Sequence, residues 1–108
     1  MLEKINYSNA SDMSYTFGGT KITTIPNIVS SFHLTNMTGT FSLCTSLTDI
    51  SLLSNLDTSQ VSSFGSLFNR CYALTDLSPL ENWNTSKVTS MNSMFTGVYN
   101  TKMHINNI

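Results

Sequence analysis

Charged side chains are scarce in this sequence of 108 residues, which has five Lys and Arg, six Asp and Glu, and a net charge of −1. A chain with so few basic groups lacks the electrostatic footprint of a nucleic-acid-binding protein, so we expect no nucleic-acid partner. No stretch approaches the roughly 18 consecutive apolar residues of a membrane span, so we expect no membrane insertion. The first residues contain no apolar segment either, so we expect no signal peptide in this chain.

Residues that commonly bind metals or carry out catalysis are also few. The two cysteines, Cys44 and Cys71, and the two histidines, His33 and His104, have no spacing typical of a zinc site or of a nucleophile with its base. We therefore expect no metal, no cofactor and no enzymatic activity. Cys44 and Cys71 are predicted to be two buried thiols, and a disulfide bond between them is the alternative.

Hydroxyl and amide side chains take the place of charge. The chain contains 17 Ser, 15 Thr and 12 Asn, which together make up 44 of its 108 residues. This composition is more typical of extracellular and virion proteins than of cytosolic enzymes. We therefore expect a location at the cell surface, outside the cell or in a virion, with the cytoplasm left open.

The sequence repeats itself at a constant shift, which takes Phe41 onto Phe68 and Phe68 onto Phe95, and at a slightly shorter shift between its first two copies. We predict a single repeat domain over residues 1–108, because aligned copies of this length form stacked repeats. It divides into an N-terminal cap at 1–9 and repeats at 10–33, 34–60, 61–87 and 88–108, the last one partial. Two apolar columns form its predicted core: Met13, Met37, Phe64 and Met91 in one, and Phe17, Phe41, Phe68 and Phe95 in the other.

Each repeat contains two spacings of apolar residues. Val61, Phe64, Leu67 and Phe68 fall at i, i+3, i+6 and i+7, a pattern that predicts a short helix. The run from Leu74 to Leu77 predicts a short strand. The predicted fold class is therefore α/β, a short leucine-rich-repeat-type solenoid of about four repeats of 24–27 residues, each a short helix plus a short strand.

The segments Phe68-Asn-Arg-Cys-Tyr-Ala-Leu-Thr-Asp-Leu and Trp83-Asn-Thr-Ser-Lys-Val-Thr-Ser-Met-Asn-Ser-Met-Phe resemble the BspA-like repeats. These repeats are a bacterial and phage-borne class of leucine-rich repeat that is also abundant in mycoplasma-type surface lipoproteins. The resemblance covers about residues 10–97. It implies a right-handed α/β solenoid, no enzymatic activity and frequent use as an adhesin or recognition surface. The first copy departs from the pattern, since Thr20 stands in the column of Cys44 and Cys71.

The short strands suggest where a partner would bind. With their apolar residues pointing inward, two polar columns are left as candidate ligand-binding residues: Thr23, Thr48 and Thr75 in one, and Thr24, Asp49 and Asp76 in the other. We predict a non-enzymatic surface or virion module that recognises a host glycan or protein. The alternative is a structural virion or assembly subunit that docks through its solenoid ends, as a homo-oligomer or within a larger virion or surface assembly.

Overall fold

The structure is a computed structural model that describes residues 10–26 and 33–99. Its helices are two short 3₁₀ helices, Ser51–Asn55 and Ser78–Leu80, which begin at equivalent positions of two successive repeats and contact each other. The described residues contain no α-helix, and their β-structure is limited to isolated parallel bridges. Residues 1–9 and 100–108, which include the predicted cap and the end of the last repeat, lie outside the described residues.

The predicted α/β fold is therefore wrong. A right-handed leucine-rich-repeat-type solenoid of the predicted kind needs a short helix and a short strand in each repeat. Residues 10–26 and 33–99 contain no α-helix and no strand, and the two 3₁₀ helices do not lie where the helix was predicted. The reason lies in how the backbone hydrogen bonds are distributed.

A run of three tight turns replaces the predicted helix in each repeat. In the third repeat the N–H groups of Leu67, Asn69 and Cys71 each donate to the carbonyl oxygen three residues earlier, at 3.0–3.2 Å. An α-helix uses carbonyl oxygens four residues earlier and uses them at every residue. The spacing of three is the hydrogen bond of a β-turn, so this segment is a chain of turns.

The N–H groups that alternate with these turn bonds bind the neighbouring repeat. In the third repeat they belong to Phe64, Ser66, Phe68 and Arg70, and they donate to alternate carbonyl oxygens of the fourth repeat at 2.6–3.0 Å. The second repeat binds the third in the same register, and the first binds the second in the same way across its shorter spacing. Each row begins at a parallel bridge in the column Asp12, Asn36, Ser63 and Ser90. The repeats therefore lie side by side in parallel.

The turns force a left-handed backbone at two positions of each repeat. In the first and third turn, the third residue has a positive φ, as a type II turn requires. These residues are Tyr15, Gly39, Ser66 and Ser93 in one column, and Gly19, Leu43, Arg70 and Gly97 in the other, with φ between 55° and 84°. Five of the eight carry a side chain. A left-handed backbone costs such a residue roughly 1–2 kcal/mol, so the bonds between repeats must offset this strain.

The apolar columns lie behind these turns. The rings of Phe17, Phe41, Phe68 and Phe95 stack on one another, with centroids 5.6, 5.7 and 6.1 Å apart and ring planes within 14°. In the other column Met13, Met37 and Phe64 are buried, and Met91 packs partly buried against the same core. Burial of one such side chain contributes about 1.5–3 kcal/mol, so the stacked columns are a main source of stability.

The spacing of apolar residues predicted a helix because a run of consecutive turns also places apolar residues on one side of the chain, at intervals similar to those of a helix. Phe64, Leu67, Phe68 and Cys71 are all buried, with intervals of three, one and three residues. The residues between them are Ser, Gly, Asn and Arg, and the first three have weak or poor helix propensity. Spacing alone cannot separate the two structures, and the partner of each N–H group decides between them.

The predicted strands are absent: the run from Leu74 to Leu77 forms no bridge, and the equivalent segments of the first two repeats share a single one. Thr24 pairs with Asp49 in a parallel bridge, and the chain then enters the 3₁₀ helix Ser51–Asn55. Asp49 causes this change of direction, because its Oδ1 accepts the N–H of Ser51 at 2.9 Å and closes a turn. Asp76 accepts the N–H of Ser78 in the same way, where the helix Ser78–Leu80 begins.

The left-handed positions can be tested with a matched pair of leucines. Leu43 and Leu52 are similarly exposed, at 45% and 46%, but only Leu43 has a positive φ, of 61°. Leu43→Gly relieves backbone strain, whereas Leu52→Gly does not, so we expect Leu43→Gly to be more stable than Leu52→Gly by about 1–2 kcal/mol. In thermal denaturation this difference is roughly 4–16 °C for a domain of this size. Equal melting temperatures would show that Leu43 is not strained.

Candidate functional site

All six predicted ligand-binding residues are exposed. We call them the polar stripe: Thr23, Thr24, Thr48, Asp49, Thr75 and Asp76. The apolar residues that flank its second and third pairs, Leu47, Ile50, Leu74 and Leu77, are buried. The stripe is therefore a polar surface held on the outside of the apolar core.

Backbone hydrogen bonds fix the first two pairs of the stripe against each other. The N–H of Thr48 donates to the carbonyl oxygen of Thr23 at 3.0 Å, and the Thr48 hydroxyl donates to the same oxygen at 3.3 Å. The third pair comes close enough for the charge of Asp76 to act on Asp49. Within the described ranges, no bridge joins the second pair to the third. The stripe thus continues over three repeats, with its firmest register between the first two.

All four aspartates of the chain have the same local role, which the sequence analysis missed. Asp12, Asp49, Asp57 and Asp76 each accept, through Oδ1, the N–H of the serine two residues later, at 2.9 Å. The signal was present, because every Asp in the sequence stands in an Asp-x-Ser triplet. Such a pairing is typical of an Asx turn. The two carboxylates of the stripe therefore hold its backbone while they face solvent.

These turns also lower the pKa of three of the aspartates, Asp12, Asp49 and Asp57. The backbone N–H of Ser51 lowers the pKa of Asp49, with a further contribution from the Ser51 side chain, and the nearby charge of Asp76 opposes this only weakly. Ser14 lowers the pKa of Asp12 through the same two bonds, and the side chain and backbone of Ser59 lower the pKa of Asp57. Asp49 is therefore a carboxylate at neutral pH.

Cys44 and Cys71 are buried free thiols with structural hydrogen bonds. The Sγ of Cys44 donates to the carbonyl oxygen of Phe17 at 3.1 Å, and the Sγ of Cys71 donates to that of Phe41 at 3.0 Å. Burial raises the pKa of both thiols, and the pKa of Cys71 reaches about 12 because burial is reinforced by Cys44 beside it. Since the thiolate is the reactive form, neither cysteine is suited to nucleophilic chemistry.

The single tryptophan is a structural residue rather than an exposed contact. Trp83 is buried, its Nε1 donates to the carbonyl oxygen of Leu53 at 2.8 Å, and its ring stacks on Phe64 with centroids 4.9 Å apart. Among residues 10–26 and 33–99, the exposed aromatic residues are instead tyrosines: Tyr15, Tyr72 and Tyr99, which are 55–67% exposed. Sequence reasoning did not select them, although Tyr72 and Tyr99 stand at equivalent positions of successive repeats.

The described residues offer no metal site. In residues 10–26 and 33–99, no three His, Cys, Asp or Glu side chains come together in a group that could hold an ion. Of the histidines, His33 is described and His104 is outside the described residues. In the same part of the chain, none of the helices has the length and hydropathy needed to cross a membrane.

Comparison with known proteins identifies one family. The sequence profile described as "Mycoplasma protein of unknown function, DUF285" matches residues 11–108, which is nearly the whole chain. No curated protein matches the sequence. No solved structure matches it either.

The aspartate turns predict how stability depends on pH. The folded pKa values of Asp12, Asp49 and Asp57 lie below the usual value of about 3.9, so the contribution of these three turns is complete above that pH and is lost as the pH falls through the lower folded values. We expect the melting temperature of the native chain to drop between about pH 4 and about pH 2. Replacing Asp12, Asp49 and Asp57 by Asn keeps each acceptor oxygen but removes the titration, so the drop should become smaller. An unchanged drop would rule out these turns as its source.

Proposed function

Because this chain belongs to the family of Mycoplasma proteins designated DUF285, we propose that it is a non-enzymatic recognition module of the BspA-like kind. In this proposal it acts at the cell surface, outside the cell or on a virion, and binds a host glycan or protein through the polar stripe. The family match supports a mycoplasma-type surface repeat protein. The resemblance of the run from Trp83 to Phe95 to BspA-like repeats supports the finer assignment.

The observation that carries the proposal is the regular placement of exposed polar groups over a buried apolar support. Each of the three repeats contributes two adjacent polar residues, and the parallel bridge between Thr24 and Asp49 sets the register of the first two. A rigid support lowers the entropy cost of binding, because the groups that contact the ligand are already ordered. Repetition then allows a periodic ligand to make several weak contacts at once.

The chemistry of the stripe favours a ligand that is rich in hydrogen-bond donors. Asp49 accepts hydrogen bonds, and a threonine hydroxyl can both donate and accept. Sugar hydroxyls and the N–H groups of a protein both match this set. Each hydrogen bond to a charged group contributes about 1.5–3 kcal/mol, so the two aspartates are the residues whose change should weaken binding most.

A matched pair of double variants tests the stripe. Asp49→Asn with Asp76→Asn keeps the Oδ1 acceptor of each turn but removes both negative charges from the stripe. Asp12→Asn with Asp57→Asn makes the same change in the same kind of turn outside the stripe. All four changes create an Asn-x-Ser sequon, so the proteins should be produced in a host without N-glycosylation.

Binding should be measured against a glycan array and against host cells. We expect the stripe variant to lose about tenfold or more in apparent affinity, which corresponds to about 1.4 kcal/mol, while the variant outside the stripe stays within about twofold of the native chain, a difference of less than about 0.5 kcal/mol. Equal affinity of the two variants would exclude the stripe as the site. A native chain that binds neither the array nor the cells would contradict the recognition role itself.

A further inference from the structure

The fourth repeat has a row of backbone donors that no described residue accepts. In each of the first three repeats, four alternate N–H groups donate to carbonyl oxygens of the following repeat. The equivalent groups in the fourth repeat belong to Met91, Ser93, Phe95 and Gly97. Their N–H groups find no acceptor among residues 10–26 and 33–99. An unpaired row of this kind is a template for pairing with another chain.

The side chains at this end are also incompletely covered. Phe41 and Phe68 are fully buried between neighbouring rings, whereas Phe95 contacts only Phe68 in the described stack and is partly exposed. Met91 and Phe95 border an open hollow of about 500 Å³, together with Ser93, Met94 and Thr96. The fourth repeat therefore combines hydrogen-bond donors with accessible apolar surface.

The opposite end of the stack carries the matching acceptors. In the later repeats, four alternate carbonyl oxygens accept from the preceding repeat. Their equivalents in the first repeat are the carbonyl oxygens of Asp12, Ser14, Thr16 and Gly18, which accept no hydrogen bond from the described part of the chain. Thr16 is exposed, whereas the residue equivalent to it in the second repeat, Thr40, is fully buried.

We propose that a second copy of this chain docks head to tail, with the N–H groups of Met91, Ser93, Phe95 and Gly97 bonded to the carbonyl oxygens of Asp12, Ser14, Thr16 and Gly18. This contact repeats the one that already joins each pair of neighbouring repeats within the chain. The net charge of −1 gives two copies little reason to repel each other. Because the two surfaces are different, a contact that does not close into a ring continues to further copies.

The contact should be weak and should depend on concentration. At the first repeat Met13 and Phe17 are already buried. A docking copy therefore contacts mainly the row of backbone carbonyl oxygens and the side chains beside it. Small interfaces of this kind form transient complexes. In sedimentation experiments on the full chain, we expect the average mass to rise above the monomer value of 11.9 kDa as the concentration increases from about 1 μM to about 1 mM.

Two double variants test whether association depends on the open end of the fourth repeat rather than on the rest of the surface. Ser93→Asp with Thr96→Asp places charges at the hollow, and Asp tolerates the left-handed backbone of position 93. Ser66→Asp with Asn69→Asp makes the equivalent change at the same two positions of the preceding repeat, inside the stack, where position 66 has the same backbone conformation. We expect the first variant to stay at 11.9 kDa over the whole concentration range and the second to associate as the native chain does.

A mixing experiment tests whether the two surfaces are different. Ser14→Asp with Thr16→Asp blocks the acceptor end, and this variant alone should also remain monomeric. An equimolar mixture with the Ser93→Asp, Thr96→Asp variant still contains one intact donor end and one intact acceptor end, so it should form dimers and nothing larger. A native chain that stays monomeric up to about 1 mM would overturn the proposal, even if its open end bound an unrelated peptide. Association that survives in either blocked variant, or a mixture that stays monomeric, would also overturn it.

Discussion

The alternation of backbone hydrogen bonds is the constraint on which the rest of this structure depends. Along each turn run, one N–H group closes a turn within its repeat and the next binds the neighbouring repeat. A helix would use all of these groups internally and leave none to join the repeats. The alternation brings equivalent residues into columns, and the stacked phenylalanine rings follow from that alignment. It also requires a left-handed backbone at residues such as Leu43 and Arg70, which lack the conformational freedom of glycine.

Side-chain oxygens and sulfurs complete this backbone pattern. The buried hydroxyl of Thr40 lies 2.9 Å from the carbonyl oxygens of both Met13 and Met37, and so bridges two repeats. Thr58 donates to the carbonyl oxygen of Asn84 and accepts its N–H. The buried hydroxyl groups of Thr40 and Thr58 therefore satisfy polar backbone groups inside the stack, which an apolar side chain cannot do.

Some of these features can be predicted from the sequence, and others cannot. The residues of the aromatic column can be found by self-alignment, because equivalent residues occupy equivalent positions when repeats lie in register. The turn run could not be predicted from the spacing of Phe64, Leu67 and Phe68, since successive turns and a helix produce similar spacings. At the polar stripe, the exposure of Asp49 follows from its place between the apolar residues Leu47 and Ile50. Its bond to Ser51 was visible only in the Asp-x-Ser pattern, which marks a turn rather than a binding site.

The most direct test of this account is an NMR measurement of scalar couplings across backbone hydrogen bonds in the isotope-labelled native chain. The N–H of Phe41 donates to the carbonyl of Leu67, and the N–H of Cys44 donates to that of Phe41. The account therefore predicts a coupling between the amide of Phe41 and the carbonyl carbon of Leu67, and another between the amide of Cys44 and the carbonyl carbon of Phe41. A coupling from the amide of Phe41 to the carbonyl of Met37, four residues earlier, would indicate a helix and contradict the alternating pattern.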